Sequence, residues 1–242
     1  MYKGNSLVII PSYNESENII EIINDITKQK ESFNVLIVDD NSPDKTYELV
    51  EEEIIKKPKR VFLIRRKKKL GLGTAYIEGF KWAIDNGYER IFEMDADYSH
   101  DPKDLSRMNV FLDNDGFDVV IGSRYISGVN VVNWPIQRVL LSYFASIYAR
   151  LITGVPLTDL TSGFVGYKVS VLKSVLNENV RFNGYAFQIE MKFKAYSKGF
   201  KIIEIPIIFT DRTKGESKMS LSIVWEAVFG LLLLKIKQLF KS

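Results

Sequence analysis

The sequence predicts an α/β domain built on a mostly parallel sheet with helices on both faces. Short apolar runs recur through the first half, at Leu7–Ile10, Val35–Val38, Val61–Ile64, Ile91–Met94 and Asp118–Ile121. Stretches of helical period lie between them. The runs are near-continuous rather than alternating, which is the pattern of strands buried on both faces by crossover helices. A length of 242 residues with 46% hydrophobic and 26% charged residues suits one large domain with an appendage.

Each element has its own signal. Leu7-Val8-Ile9-Ile10 reads as the first strand, closed by Pro11. A helix follows from about Ser16, with Ile19, Ile20, Ile22, Ile23 and Ile26 on its inner side. Val35–Val38 is the second strand and ends in Asp39-Asp40. Ser42-Pro43-Asp44 predicts a helix start, with Pro in the first turn, and Tyr47, Leu49, Val50, Ile54 and Ile55 continue that helix. Val61–Ile64 is strand three, and Thr74–Asn86 is a helix stopped by Gly87. Strand four, Ile91–Met94, runs into Asp95-Ala96-Asp97, and strand five precedes Gly122-Ser123-Arg124. The second half is less regular. Pro135–Thr153 is a helix with apolar residues on most sides, Lys201–Phe209 is a late strand, and Leu221–Phe240 is a last helix. The apolar stretch of that last helix, broken by Glu226, is shorter than the roughly 20 residues that span a bilayer.

Composition narrows the chemistry. Thirty-three basic and 30 acidic residues leave a net charge of +3, which does not call for a nucleic-acid partner. With no cysteine, disulfides, thiolate metal sites and a thiol nucleophile are excluded. A single histidine, His100, argues against a multi-histidine metal site. The N-terminus lacks the pattern of a signal peptide, and the absence of cysteine is compatible with a reducing cytosol.

In open α/β sheets ligands bind beyond the carboxyl ends of the strands. Tyr13-Asn14-Glu15, Asp39-Asp40, Asp95–Asp97 and Arg124 all follow strands, so they are expected on one rim. Asp95 and Asp97 repel each other unless a cation lies between them, and a hard divalent ion, Mg2+ or Mn2+, suits two carboxylates. A solvated strand-end turn is the competing reading. Asp39-Asp40 suits a ribose or base contact, or equally a helix cap. Arg65–Lys69 is a basic run that either stays solvated or steers a phosphate-bearing ligand. Gly71-x-Gly73 invites a dinucleotide reading, but Tyr76 holds the third glycine position, which disfavours it. Arg138 stands in an apolar helix, where its charge must reach a headgroup or an anion. His100 follows the acidic pair closely enough to orient it or to touch a diphosphate.

Eight ordered motifs together resemble family 2 glycosyltransferases. They are Pro11-x-Tyr13-Asn14-Glu15, Val38-Asp39-Asp40-x-Ser42-x-Asp44-x-Thr46, Gly71-x-Gly73-x-Ala75-x3-Gly79 and Asp95-Ala96-Asp97-x-Ser99-His100-x-Pro102, then Gly122-Ser123-Arg124, Asp159-x2-Ser162-Gly163-Phe164, Gly184-Tyr185-x-Phe187-x2-Glu190 and Arg212-x2-Gly215-x-Ser217-Lys218-Met219. The last four are similar to the polyprenyl-phosphate mannose synthase branch. The resemblance implies a GT-A fold over 1–218, with 219–242 a membrane-associated helix and 135–153 an acceptor-side interface helix. It implies GDP-mannose as donor, held by Pro11, Tyr13, Glu15, Asp39, Asp40, Asp95, Ala96, Asp97, Arg212 and Lys218. It implies a divalent metal, Mg2+ or Mn2+, on Asp95 and Asp97, and an acceptor phosphate on Arg124, Arg138 and Ser142. Asp97, Arg124 and Arg138 are thereby the catalytic candidates. One position departs: Ser99 stands where some relatives carry Gln, and a hydroxyl reaches less far, so water is expected to fill in there.

A phosphate acceptor also fits the residue inventory. A phosphate monoester is largely ionised near neutrality, so it needs positioning and no obligatory base. The acceptor is then a polyprenyl or dolichyl phosphate in a membrane, and the enzyme sits peripherally on the cytoplasmic face. Lys235, Lys237 and Lys241 would face headgroups. A membrane-anchoring subunit is a further partner that this reading admits. Glucosyl or N-acetylhexosaminyl transfer from a UDP-sugar, and a silent nucleotide-sugar-binding subunit, are the alternatives.

Overall fold

Leu7 and Ile9 face one hydrophobic cluster, and Val8 and Ile10 face another. The same division separates Leu36 and Val38 from Val35 and Ile37. Period-two side chains that are apolar on both faces require cover on both faces. The computed structural model supplies that cover. It describes residues 6–113, 116–211, 230, 231 and 235.

The elements run β1 (Ser6–Ser12), α1 (Ile19–Thr27), β2 (Asn34–Asp39), α2 (Thr46–Lys56), β3 (Val61–Arg65), α3 (Leu72–Asp85), β4 (Arg90–Glu93), α4 (Asp104–Asp113) and β5 (Val119–Ser123). They continue through β6 (Val131–Val132), α5 (Ile136–Thr153), β7 (Val165–Lys168), α6 (Val169–Leu176), α7 (Tyr185–Ser197), β8 (Ile202–Pro206) and β9 (Phe209–Thr210). The main sheet has the order β3-β2-β1-β4-β7-β5-β8. β1 pairs in parallel with β2 and β4, and β5 with β8.

Three expectations shift. The strand β7 enters the middle of the sheet antiparallel to both β4 and β5. Its sequence, Val-Gly-Tyr-Lys, carries little strand signal because Gly166 must be small. A Cβ there would lie 2.7 Å from the Phe92 ring. The late strand divides in two: after Pro206 the chain leaves β8, and β9 pairs in parallel with β6 in a separate ribbon. Helix α2 begins at Thr46 rather than at Ser42–Asp44. Asp39 takes the Ser42 N–H at 2.9 Å and Asp44 takes the Thr46 N–H at 3.0 Å, so the residues before α2 form a hydrogen-bonded turn.

Gly71 and Gly73 are packing residues, not a dinucleotide loop. Gly71 has φ +100°, and a Cβ on Gly73 would meet the Phe182 carbonyl at 2.7 Å and the Phe187 ring at 2.9 Å. The helix α5 inverts the usual arrangement. It buries Ser146, Ala149 and Thr153 and exposes Ile136, Leu140, Leu141, Phe144 and Leu151. Among the described residues no helix is long and apolar enough to cross a membrane. The expected last helix lies outside them, apart from the helical residues Gly230, Leu231 and Lys235.

Candidate active site

The carboxyl ends of β1, β2 and β4 are adjacent because β1 is flanked by the other two. Since β7 is antiparallel, its entrance lies at the same edge and brings the Asp159–Phe164 loop there too. The rim therefore collects the residues after β1, β2, β4 and β5, as the sequence predicts.

The first part of the rim is a laced pair of loops. Asp39 is fully buried; its Oδ2 accepts the Ser12 hydroxyl at 2.8 Å and the Ser42 hydroxyl at 2.5 Å. Ser42 Oγ accepts the Asn14 N–H at 3.1 Å, Thr46 Oγ1 accepts the Glu15 N–H at 3.1 Å, and Asp44 Oδ2 accepts the Ser16 N–H at 3.0 Å. The spacing of Asp39, Ser42, Asp44 and Thr46 thus fixes the backbone beyond Pro11 that presents Tyr13 and Glu15. Asn14 takes the left-handed conformation, φ 57°, which Asn tolerates. Asp40 is buried against Arg66, whose Nη1 also donates to Thr74 Oγ1 at 2.7 Å. Within the basic run, then, Arg66 is an internal strut. The Lys69 ammonium lies 4.3 Å from the centre of the Tyr13 ring.

Beyond β4, Asp97 and Ala96 are buried and Asp95 is half-exposed. Asp97 Oδ1 accepts both the Ser99 hydroxyl at 2.5 Å and the Ser99 N–H at 3.1 Å. The position that departs from the family pattern therefore orients the second carboxylate. His100 is buried, stacked on Phe164 with ring centroids 4.8 Å apart and met edge-on by Phe209. Burial lowers its pKa to about 4 even though Asp97 is near. Neutral, its Nδ1 accepts the Asp95 N–H at 3.3 Å, so the 3.9 Å approach to Asp95 Oδ2 is not an ion pair near neutral pH. Of the two roles foreseen for His100, the structure places it at the backbone of the acidic pair.

Arg124 is buried and forks onto Asp159, with Nε and Nη2 each 2.7 Å from a carboxylate oxygen. Burial alone would raise the Asp159 pKa, but the guanidinium outweighs it and holds the carboxyl below its ordinary value. Glu204 fixes the turn before Asp159 by accepting the N–H groups of Thr158 at 2.7 Å and Asp159 at 2.8 Å. Arg138 donates from Nη1 to Asp211 Oδ1 at 2.7 Å and lies 4.1 Å from the centre of the Trp134 ring. Arg124 lies 5.7 Å from the same ring, so both guanidinium groups share one indole. Ser142, one turn along α5 from Arg138, is half-buried beside the Tyr125 phenol. A cleft of ≈ 820 Å³ joins Asp97 to Asp211, lined also by Tyr98, Ser127, Asn130 and Thr210. Arg212 and Lys218 lie outside the described residues.

Sequence reasoning missed a buried network beneath this rim. Gln188 Nε2 donates to Glu93 Oε2 at 2.5 Å, and Lys192 Nζ donates to Gln188 Oε1 at 3.2 Å and to the Ser162 carbonyl at 2.7 Å. Burial pushes Glu93 up and Lys192 down, and each opposes the shift in the other. Only the Ser162-Gly163-Phe164 motif hinted at it. Asp159 and Asp211 as arginine partners carried no signal of their own, because Asp is common in loops.

The donor set fits a divalent ion of the Mg2+ or Mn2+ kind. Among the described residues no three His, Asp or Glu side chains are grouped to enclose a metal. Such ions are commonly bound by one or two carboxylates, with water and substrate phosphate completing the shell. Asp95 and Asp97 offer that open arrangement.

Residues 7–176 match the family described as Glycosyl transferase family 2. The chain belongs to that family. Curated relatives of this glycosyltransferase include a polyprenol monophosphomannose synthase from Mycolicibacterium smegmatis, 44% identical over 224 residues, covering 93% of this chain and 84% of the relative. An undecaprenyl-phosphate mannosyltransferase from Micrococcus luteus is 40% identical over 225 residues, covering 93% and 91%. A mannosyltransferase from Pyrobaculum calidifontis, solved with GDP-mannose and Mn2+, superposes with a TM-score of 0.62 at 16% identity, covering 100% of this chain and 66% of that one. The family 2 chain thus has the GT-A fold that the motifs imply.

Proposed function

We propose that this glycosyltransferase moves mannose from GDP-mannose to the phosphate of a polyprenyl phosphate, with inversion at the anomeric carbon. The observation that carries the reading is the single cleft joining Asp97 to Asp211, the partner of Arg138. Asp97, the buried member of the acidic pair, and Asp211, which Arg138 engages, thus line one space. The two mannosyltransferase relatives at 40% and 44% identity support the substrate class.

In this reading Tyr13, Glu15, Asp39 and Asp40 form the nucleotide end, with Pro11 at its base, and Asp95 and Asp97 hold the ion and the donor diphosphate. When bound, that ion neutralises charge developing on the leaving diphosphate. Arg138, Ser142 and Arg124 hold the acceptor. A phosphate oxygen attacks the anomeric carbon, the bond from that carbon to the GDP oxygen breaks, and GDP leaves with the electron pair. No proton needs removal, because the acceptor's second pKa is about 6. Displacement from an α-linked donor gives a β-linked product. Arg212 and Lys218 would join the donor phosphates.

The test is product formation from labelled GDP-mannose and a short-chain polyprenyl phosphate, with and without chelator. Transfer should cease on chelation and return with Mg2+ or Mn2+. Transfer unaffected by chelator would remove the metal from the mechanism, and a preference for UDP-glucose would change the sugar.

The acceptor's tail places the enzyme at a bilayer surface. The exposed Ile136, Leu140, Leu141, Phe144 and Leu151 of α5 support that placement, since large apolar side chains in water on one helix suit an interfacial face. Phe144→Asp should weaken binding to anionic vesicles in co-flotation by about 30-fold, from roughly 2 kcal/mol for one buried aromatic. Equal flotation of this variant and the parent would place α5 away from lipid.

A further inference from the structure

We propose that Asp211 determines acceptor specificity: it is a tethered counter-ion on Arg138 that a phosphate monoester dianion displaces and a phosphodiester monoanion does not. The inference rests on the reading of Arg138 as the acceptor-phosphate ligand.

Three observations build it. First, the Arg138–Asp211 pair is 2.7 Å long and each side chain keeps 23% of its exposure, so the guanidinium is neutralised yet reachable. Second, the carboxylate is presented by a fixed backbone. The Asp211 N–H donates to Val132 O at 3.0 Å, the Phe209 N–H to Asn130 O at 3.0 Å, and the Thr210 N–H to Ser99 O at 3.3 Å. The last bond ties this short stretch to the loop that orients Asp97. Third, Arg138 lies in the first turn of α5, among the exposed Ile136, Leu140 and Leu141.

Those neighbours create a selection problem. A bilayer offers phosphodiester headgroups in great excess over any polyprenyl phosphate, and a bare arginine on a lipid-facing helix would bind them. A held carboxylate competes at high effective concentration. A phosphodiester carries one negative charge, the same as Asp211, and gains nothing by exchange. A monoester carries about −1.5 to −2 at pH 7 and three terminal oxygens, so it exchanges favourably. Asp211 thereby converts an indiscriminate phosphate contact into one that counts charge.

The experiment measures inhibition of transfer by a monoalkyl phosphate and by a dialkyl phosphate of equal carbon number, in detergent micelles, for the parent protein, Asp211→Asn, Asp211→Ser and Arg138→Ala. In the Asp211 variants the diester should tighten and the monoester-to-diester preference should fall about tenfold, the loss of one screened charge interaction. An unchanged preference in a folded Asp211 variant overturns the proposal. So does equal weakening of both inhibitors, which marks Asp211 as a simple buttress. Arg138→Ala should raise the acceptor KM. If it does not, the reading of Arg138 itself fails; if it does while the preference stays fixed, only the role of Asp211 fails. Melting curves of each variant confirm that the comparison is between folded proteins.

Discussion

Asp97→Ala should reduce mannosyl transfer by about a thousandfold, the scale seen when a group that stabilises transition-state charge is removed. The melting temperature should change little. Asp97 lies beyond the end of β4, and its bonds to Ser99, which donates from both N–H and hydroxyl to one carboxylate oxygen, are local to that turn. Removing the carboxylate leaves the buried Ser99 donors to water entering from the cleft that Asp97 lines, and both hydrophobic clusters unchanged. Asp97→Asn refines the test because it retains the shape and removes the charge. Both variants should lose transfer alike, measured as label moved from GDP-mannose to lipid. Full turnover in either would exclude Asp97 from the chemistry.

Asp159→Ala should destabilise the protein by about 3–5 kcal/mol, because it leaves the buried Arg124 without its partner. For a chain of this size that lowers the melting temperature by roughly 10 °C. Asp159→Asn should cost less, since its amide oxygen still accepts one of the two guanidinium bonds. The pH dependence follows from the sign of the shift. The folded pKa of Asp159 lies below the ordinary aspartate value of 3.8. The unfolded chain therefore binds more protons in the window just below 3.8, and stability is lost as pH falls through the folded pKa. Asp159→Asn should flatten that acid limb in unfolding curves recorded between neutral pH and pH 2. A parallel limb in variant and parent would assign the acid sensitivity to other carboxylates. Both variants should also raise the acceptor KM, because the fork that aims Arg124 is gone.

The first half of the fold was legible because each strand is apolar on both faces and bounded by a turn signal. Val8 and Ile9 face opposite clusters, so neither can be polar, and the run stands out. The middle strand was hidden because Gly166 makes room for Phe92, and a strand that yields volume to its neighbour loses its own apolar signal. The rim positions of Tyr13, Asp39, Asp97 and Arg124 followed from the carboxyl-edge rule alone. Their partners did not. Arg124 looks like any loop arginine until the antiparallel β7 draws Asp159 to it, and Lys192 is one of many lysines until α7 buries it beneath Ser162. Pairings across large sequence separation are set by topology, which local pattern does not encode.

The placement of β7 has a consequence for synthesis on the ribosome. A nascent chain ending near residue 150 already holds β4 and β5 but lacks Val165–Lys168, the strand that joins them. Each then presents an open ladder edge, the kind of surface that recruits foreign strands. Closure waits until the seam-forming segment emerges and inserts between two strands translated well before it. Expression fragments of the nucleotide-binding half should therefore extend through β8 if they are to stay monomeric.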